Sequence, residues 1–219
     1  LPMPLGVARW FDVMLWFEKC IATRPEHNRW LSPHIRTSFH QRMDARLVVK
    51  AHDGYVFLHD ALNHLYPDGK AVAIVRDGLP LAESLLRRGW PLKLVIEYYI
   101  KVGNEIARLA GEGRLIILKY ETLVADVIGT MYELDQYLGL ELSKLSCYRM
   151  QHKARMGADG RHGLPPGVSD RGLVWYSRSQ LSSHFVQNAN AFQVSRLDAD
   201  ARLMLLEQFR DTRLRLGYQ

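Results

Sequence analysis

The sequence is poor in cysteine: Cys20 and Cys147 are the only two in 219 residues. They stand far apart and form neither a disulfide framework nor a CxxC-type redox or metal motif. Two incidental thiols fit a reducing compartment, and the expectation is a cytoplasmic protein. No run approaches the ~18–20 uninterrupted apolar residues of a membrane span. The first twenty residues are apolar but broken by Arg9, Asp12, Glu18 and Lys19. They lack the basic start and small-residue cleavage site of a secretory signal, so residues 7–20 read as an amphipathic helix. No block of five or more like charges occurs, which argues against a basic arm for nucleic acid. A G-x-x-x-x-G-K-[ST] motif is also missing, and with it the signature of a P-loop kinase. There is no internal repeat and no low-complexity tract.

What remains is a globular composition with a basic excess. The chain is 47% hydrophobic and carries a formal net charge of +6. Its length suits one domain over residues 1–219. The charge favours an anionic partner such as a nucleotide, although the basic residues are spread along the chain. Three short runs rich in β-branched residues read as buried parallel strands: 46–51 (RLVVKA), 71–75 (AVAIV) and 114–119 (RLIILK). Helical patterns lie between and after them at 55–66, 80–88, 92–110 and 128–138, each ended by glycine or proline. Strands alternating with helices predict an α/β fold with a mainly parallel sheet. Residues 151–170 hold Gly157, Gly160, Gly163, Pro165, Pro166 and Gly167, and read as a long mobile loop, either a lid or a surface connection. Residues 198–216 read as a final helix with Asp198 as its N-cap.

Ligands of parallel sheets bind beyond the carboxyl ends of the strands, so the residues finishing each strand are the ones to inspect. The second ends in Val75-Arg76-Asp77-Gly78. The planar guanidinium of Arg76 suits a phosphate, and the following helix offers its N-terminus to an anion. Ser84 lies on that helix, eight residues after Arg76. The bland alternative is a surface ion pair of Arg76 with Asp77 or Glu83. The first strand ends in Lys50-Ala51-His52. Lys50 and His52 share a face while extended and suit charge stabilisation and proton removal; a solvated loop histidine is the alternative. The third ends in Lys119-Tyr120-Glu121, where the Tyr120 ring either packs on a ligand base or fills the core. His59 and His64 are five apart and do not share a helix face well, so they do not read as metal ligands.

In order along the chain, these segments resemble the sulfotransferases that use 3′-phosphoadenosine 5′-phosphosulfate. KAH at 50–52 looks like the family's Lys-Thr-His, with Ala51 in place of threonine. LYPDGKAVAIVRDGLPLAESLLRRG at 65–89 looks like its 3′-phosphate segment in the VRDG form of bacterial and tyrosylprotein-type members. ILKYETL at 117–123 and QYLGL at 136–140 look like its Tyr-Glu-x-Leu and Phe-Leu-Gly-Leu elements, and RLGY at 215–218 recurs in bacterial members. The resemblance implies a three-layer, P-loop-NTPase-like sulfotransferase fold, with 46–142 as the nucleotide-binding core. It implies that Arg76 and Ser84 bind the 3′-phosphate, that Tyr120 lies near the adenine, and that His52 is the base. Lys50 would lie beside the transferring group, and Arg171-Gly172 would match the late basic-glycine element that closes over the 3′-phosphate. The donor would be 3′-phosphoadenosine 5′-phosphosulfate and the product adenosine 3′,5′-bisphosphate, with no metal. The partner would be a hydroxyl or amine acceptor that the sequence does not identify; residues 28–43 either line its pocket or form a surface connection.

One family element is not found: the early Pro-Lys/Arg-Ser-Gly-Thr-Thr loop that holds the 5′-phosphosulfate, with the strand before it. Pro2-Met3-Pro4-Leu5-Gly6 has no basic residue at the needed place. The expectation is that the sequence begins after this loop. The alternatives are a differently built 5′-site and a non-catalytic nucleotide-binding module derived from such an enzyme.

Overall fold

The β-branched runs at 71–75 and 114–119 become neighbouring strands. A computed structural model describes residues 53–140, 146–151, 155–156, 162–163, 173–184 and 189–219. The chain partitions into two compact units, Leu1–Gly69 and Lys70–Gln219. In the first, a 3-10 turn at Asp53–Leu58 runs into helix α1 at His59–Leu65, which the Tyr66 amide closes by donating to the Leu62 carbonyl at 2.8 Å. The strand expected at 46–51 lies outside the described residues, as do the helix expected at 7–20 and the segment 28–43.

The second unit opens with β1 (Val72–Val75), α2 (Gly78–Leu86), α3 (Leu92–Gly111) and β2 (Ile116–Lys119). β1 and β2 pair in parallel, with Val72 opposite Ile116 and Val75 opposite Lys119. A parallel pair needs a crossover, and here α2 and α3 supply it. The described part of the unit is thus mixed α/β with a two-stranded parallel sheet. α4 (Tyr120–Ala125) starts directly where β2 ends, and α5 (Val127–Leu138) follows. Gly139, with φ 61°, takes the left-handed conformation at the end of α5, which glycine adopts without strain. Tyr137 of α5 donates its hydroxyl to the Ala71 carbonyl at 3.3 Å and so ties this helix to the start of β1.

The remaining elements are β3 (Cys147–Gln151), β4 (Arg155–Met156), β5 (His162–Gly163), β6 (Leu173–Ser177), α6 (Arg178–His184), α7 (Ala189–Val194) and α8 (Ala199–Arg215). β3 pairs antiparallel with β6, and β4 with β5. Neither ribbon is foreseen by the sequence reading. Of the loop expected at 151–170, the described residues are the end of β3 and the short β4–β5 pair. α8 matches the expected final helix, and the Asp198 carboxylate caps it by accepting from the Ala201 amide at 2.7 Å.

The core of this unit is built where α2, α3 and α8 meet. Val75, Leu79, Ala82, Leu85, Val95, Tyr99, Leu205, Phe209 and Leu216 form one buried cluster. Phe209 and Tyr99 pack with ring centroids 4.3 Å apart. Two glycines let the helices come this close. A Cβ on Gly78 would stand 2.5 Å from Phe209 Cδ2 and 3.0 Å from Tyr99 Cε1, and one on Gly103 would stand 2.5 Å from the Thr212 methyl. Among the described residues no helix is long and apolar enough to cross a membrane.

Gly78→Ala overfills the α2–α8 contact and should lower stability by roughly 1–3 kcal/mol, while Phe209→Ala should cost about 3–5 kcal/mol. In urea titrations of the double variant Gly78→Ala/Phe209→Leu, the loss should be smaller than the sum of the singles, because the smaller side chain makes room; strict additivity would refute the contact. Asp198→Ala removes the α8 cap and should cost about 1 kcal/mol, measured as a lower urea midpoint at unchanged slope.

Candidate anion-binding site

β1 delivers Arg76 to its carboxyl end, and β2 delivers Tyr120 to the equivalent place one strand over. The sheet therefore sets the two side by side. The Arg76 guanidinium carbon lies 4.8 Å from the centroid of the Tyr120 ring, within the range of a cation–π contact. Arg76 is half-buried, and neither Asp77 nor Glu83 is its partner. Its partners are two amides of α7. Nε donates to Asn190 Oδ1 at 2.9 Å, and Nη2 donates to Asn190 Oδ1 and to Gln193 Oε1. Asn190 and Gln193 are three apart, so α7 presents both to the same side. Nε and both Nη2 donors are thus engaged, and among the described residues Nη1 makes no hydrogen bond. Desolvation by burial pulls the guanidinium below its ordinary value, against the opposing pull of Tyr120, Glu121 and Glu83. A cation stripped of water in this way gains from an anion brought to it.

Each amide is anchored in turn to a carboxylate. Asn190 Nδ2 donates to Glu121 Oε1 at 2.5 Å. Gln193, itself buried, donates Nε2 to Glu83 Oε2 at 3.1 Å. Glu83 is 5% exposed, a burial tolerated because Arg87 and Arg196 approach it at 3.5 and 3.6 Å. Glu121 is held by neutral donors: the Asp77 amide at 3.2 Å and the Tyr218 hydroxyl at 2.8 Å. Burial, and then the bond to Glu121, push the Tyr218 hydroxyl above its ordinary value, so it stays a protonated donor. Burial raises the Tyr99 hydroxyl too, with Asp77 adding to the effect.

The N-terminus of α2 is not open in the way the sequence suggests. Asp77 caps it by accepting from the Leu79 amide at 3.2 Å, and Arg213 neutralises that carboxylate at 2.9 Å. The Asp77 side chain thus takes up one of the free amides of this helix end. Ser84 lies further along α2 and is half-buried; its neighbour Glu83, through Gln193, is what joins the helix to Arg76. The structure thus brings Arg76 and Tyr120 together. Lys50, His52, Arg171 and Gly172 lie outside the described residues. Among the described residues no group of three or more His, Cys, Asp or Glu side chains is placed to hold a metal ion.

Four members of the cluster escaped the sequence reading. Glu121 and Tyr218 sit inside quoted motifs, KYE and RLGY, but nothing marks them as partners of each other. Asn190 and Gln193 lie on a six-residue helix that no motif precedes. Comparison of the chain with protein families, with curated proteins and with solved structures gives no match.

Proposed function

We propose that this chain carries the 3′-phosphate half of the donor site of a sulfotransferase, acting on 3′-phosphoadenosine 5′-phosphosulfate and a hydroxyl or amine acceptor. The observation that carries the reading is Arg76: at the carboxyl end of a parallel strand, desolvated, in cation–π contact with Tyr120, and held through Nε and Nη2 by amides rather than by a carboxylate. The Nη1 group of such an arginine can donate charge-assisted hydrogen bonds to the oxygens of a phosphate monoester. Tyr120, beneath it, offers a ring on which a nucleobase can pack. Support from the sequence is the ordered set of motifs around these residues. The roles of His52 as base, Lys50 beside the transferring group, Ser84 on the phosphate, and Arg171 with Gly172 as a closing element follow from the resemblance.

Sulfuryl transfer, like phosphoryl transfer, asks the protein mainly to align donor and acceptor and to offset charge on the leaving oxygen. Arg76 fixes the remote 3′-phosphate. His52 would take the acceptor proton, and Lys50 would stand against the charge on the bridging oxygen. A non-catalytic module that binds the bisphosphate product is the second reading.

Adenosine 3′,5′-bisphosphate should raise the melting temperature of the 219-residue chain, with about 2.7 kcal/mol of stabilisation at a hundredfold excess over Kd. Arg76→Ala should abolish that shift. His52→Ala should keep it and lose sulfate transfer. No shift at millimolar bisphosphate, or a full shift in Arg76→Ala, would sink the proposal; a shift without transfer to any acceptor by a chain that carries the 5′-phosphosulfate loop assigns the second reading.

A further inference from the structure

Arginines at the surface of proteins are commonly held by carboxylates, yet this one is held by Asn190 and Gln193. A carboxylate would orient the guanidinium and also cancel its charge. An amide oxygen orients it and leaves the charge available to a ligand. Both amides are themselves fixed from behind, Asn190 by Glu121 and Gln193 by Glu83. Glu121 is in turn fixed by the Tyr218 hydroxyl, which lies 2.8 Å from its Oε2 and 3.3 Å from the Val75 carbonyl on the strand that carries Arg76. The order Tyr218, Glu121, Asn190, Arg76 is a continuous line of hydrogen bonds ending on the guanidinium. The far-side carboxylates keep the neighbourhood near neutrality while standing one amide away from the cation.

We infer that Glu121, Asn190 and Tyr218 are positioning residues: they hold Arg76 through its Nε and Nη2 donors so that its Nη1 group meets a phosphate monoester, and they do so without neutralising it. The inference rests on the proposed phosphate-binding role of Arg76. Three consequences distinguish aiming from mere structural support. Removing Asn190 loosens the fork, so its Nε–H exchanges faster with water. Loosening harms a planar fork but not a point charge, so the effect depends on arginine being present at 76. Moving the carboxylate from 121 to 190 preserves net charge but places the negative group directly on the guanidinium, and the site loses its attraction for anions.

The test is calorimetric titration of the full chain with adenosine 3′,5′-bisphosphate. Asn190→Ala and Tyr218→Phe should each weaken binding, by about tenfold and about threefold, as expected for hydrogen bonds to charged groups. The Arg76 Nε–H resonance, assigned by its loss in Arg76→Ala, should broaden in Asn190→Ala while the remaining amide spectrum is kept. In an Arg76→Lys background Asn190→Ala should cost nothing further; an equal loss in both backgrounds would reduce Asn190 to scaffolding. The exchange variant Asn190→Asp/Glu121→Gln should melt near the wild type yet bind the bisphosphate at least tenfold more weakly, and wild-type affinity there would overturn the inference. Should the exchange variant fail to fold, the Asn190→Ala comparison in the two backgrounds decides alone. If Arg76→Ala itself binds normally, the phosphate-site proposal fails, a result distinct from normal binding by Asn190→Ala alone.

Discussion

The close approach of α2 to α8 at Gly78 is the constraint on which the rest of the second unit depends. Phe209 and Tyr99 press on a position that has no room for a side chain. With glycine there, the first turn of α2 lies against the C-terminal helix. Asp77 then reaches both the Leu79 amide and Arg213, and Arg76 is held at the strand end above it. A bulkier residue at 78 would push α2 off α8, lengthening the Asp77–Arg213 contact and tilting the turn that presents Arg76. Packing density and site geometry are here the same fact, since a close-packed interior transmits small displacements.

Around that contact the charges are arranged in two classes. Asp77 and Glu83 meet arginines directly. Among the described residues, Glu121 meets neutral donors, and Arg76 meets amide oxygens and an aromatic ring. The pair Glu121 and Arg76 therefore attract each other across Asn190 without touching. Direct pairing of the two would form a stable but inert ion pair. The inserted amide keeps the arginine oriented while its charge stays available.

Much of this architecture is legible in the sequence, for identifiable reasons. β1 and β2 are short apolar runs bounded by turn residues. α3 shows Val95, Tyr99 and Leu109 at helical spacing, all of them buried. α5 and α8 announce their ends through Gly139 and Asp198. α4 is not legible, because it starts at Tyr120 with no capping side chain and runs straight on from a strand. The β3–β6 ribbon is not legible either, since its pairing joins Cys147 to Ser177 across residues with no periodic signal. Arg76 and Tyr120 are singled out in the sequence because they follow strand ends, and the structure places them side by side. Glu121, Asn190, Gln193 and Tyr218 are missed because their roles arise only from contacts between residues distant in sequence. The sequence reading of the α2 N-terminus leaves out the Asp77 cap, which takes up the Leu79 amide there.

The hydrogen bonds that complete the cluster span long stretches of chain, with 114 residues separating Arg76 from Asn190 and 143 separating Val75 from Tyr218. Contacts of such separation form late, because the closure of the intervening chain must be offset before they stabilise anything. During synthesis, β1, α2, α3 and β2 can pair and pack while α7 and the RLGY segment are still unmade. Arg76 spends that interval as a solvated arginine with no preferred direction. Only when the last elements dock does it become a half-buried cation held by two amides, so the geometry around Arg76 marks the completion of folding in this unit.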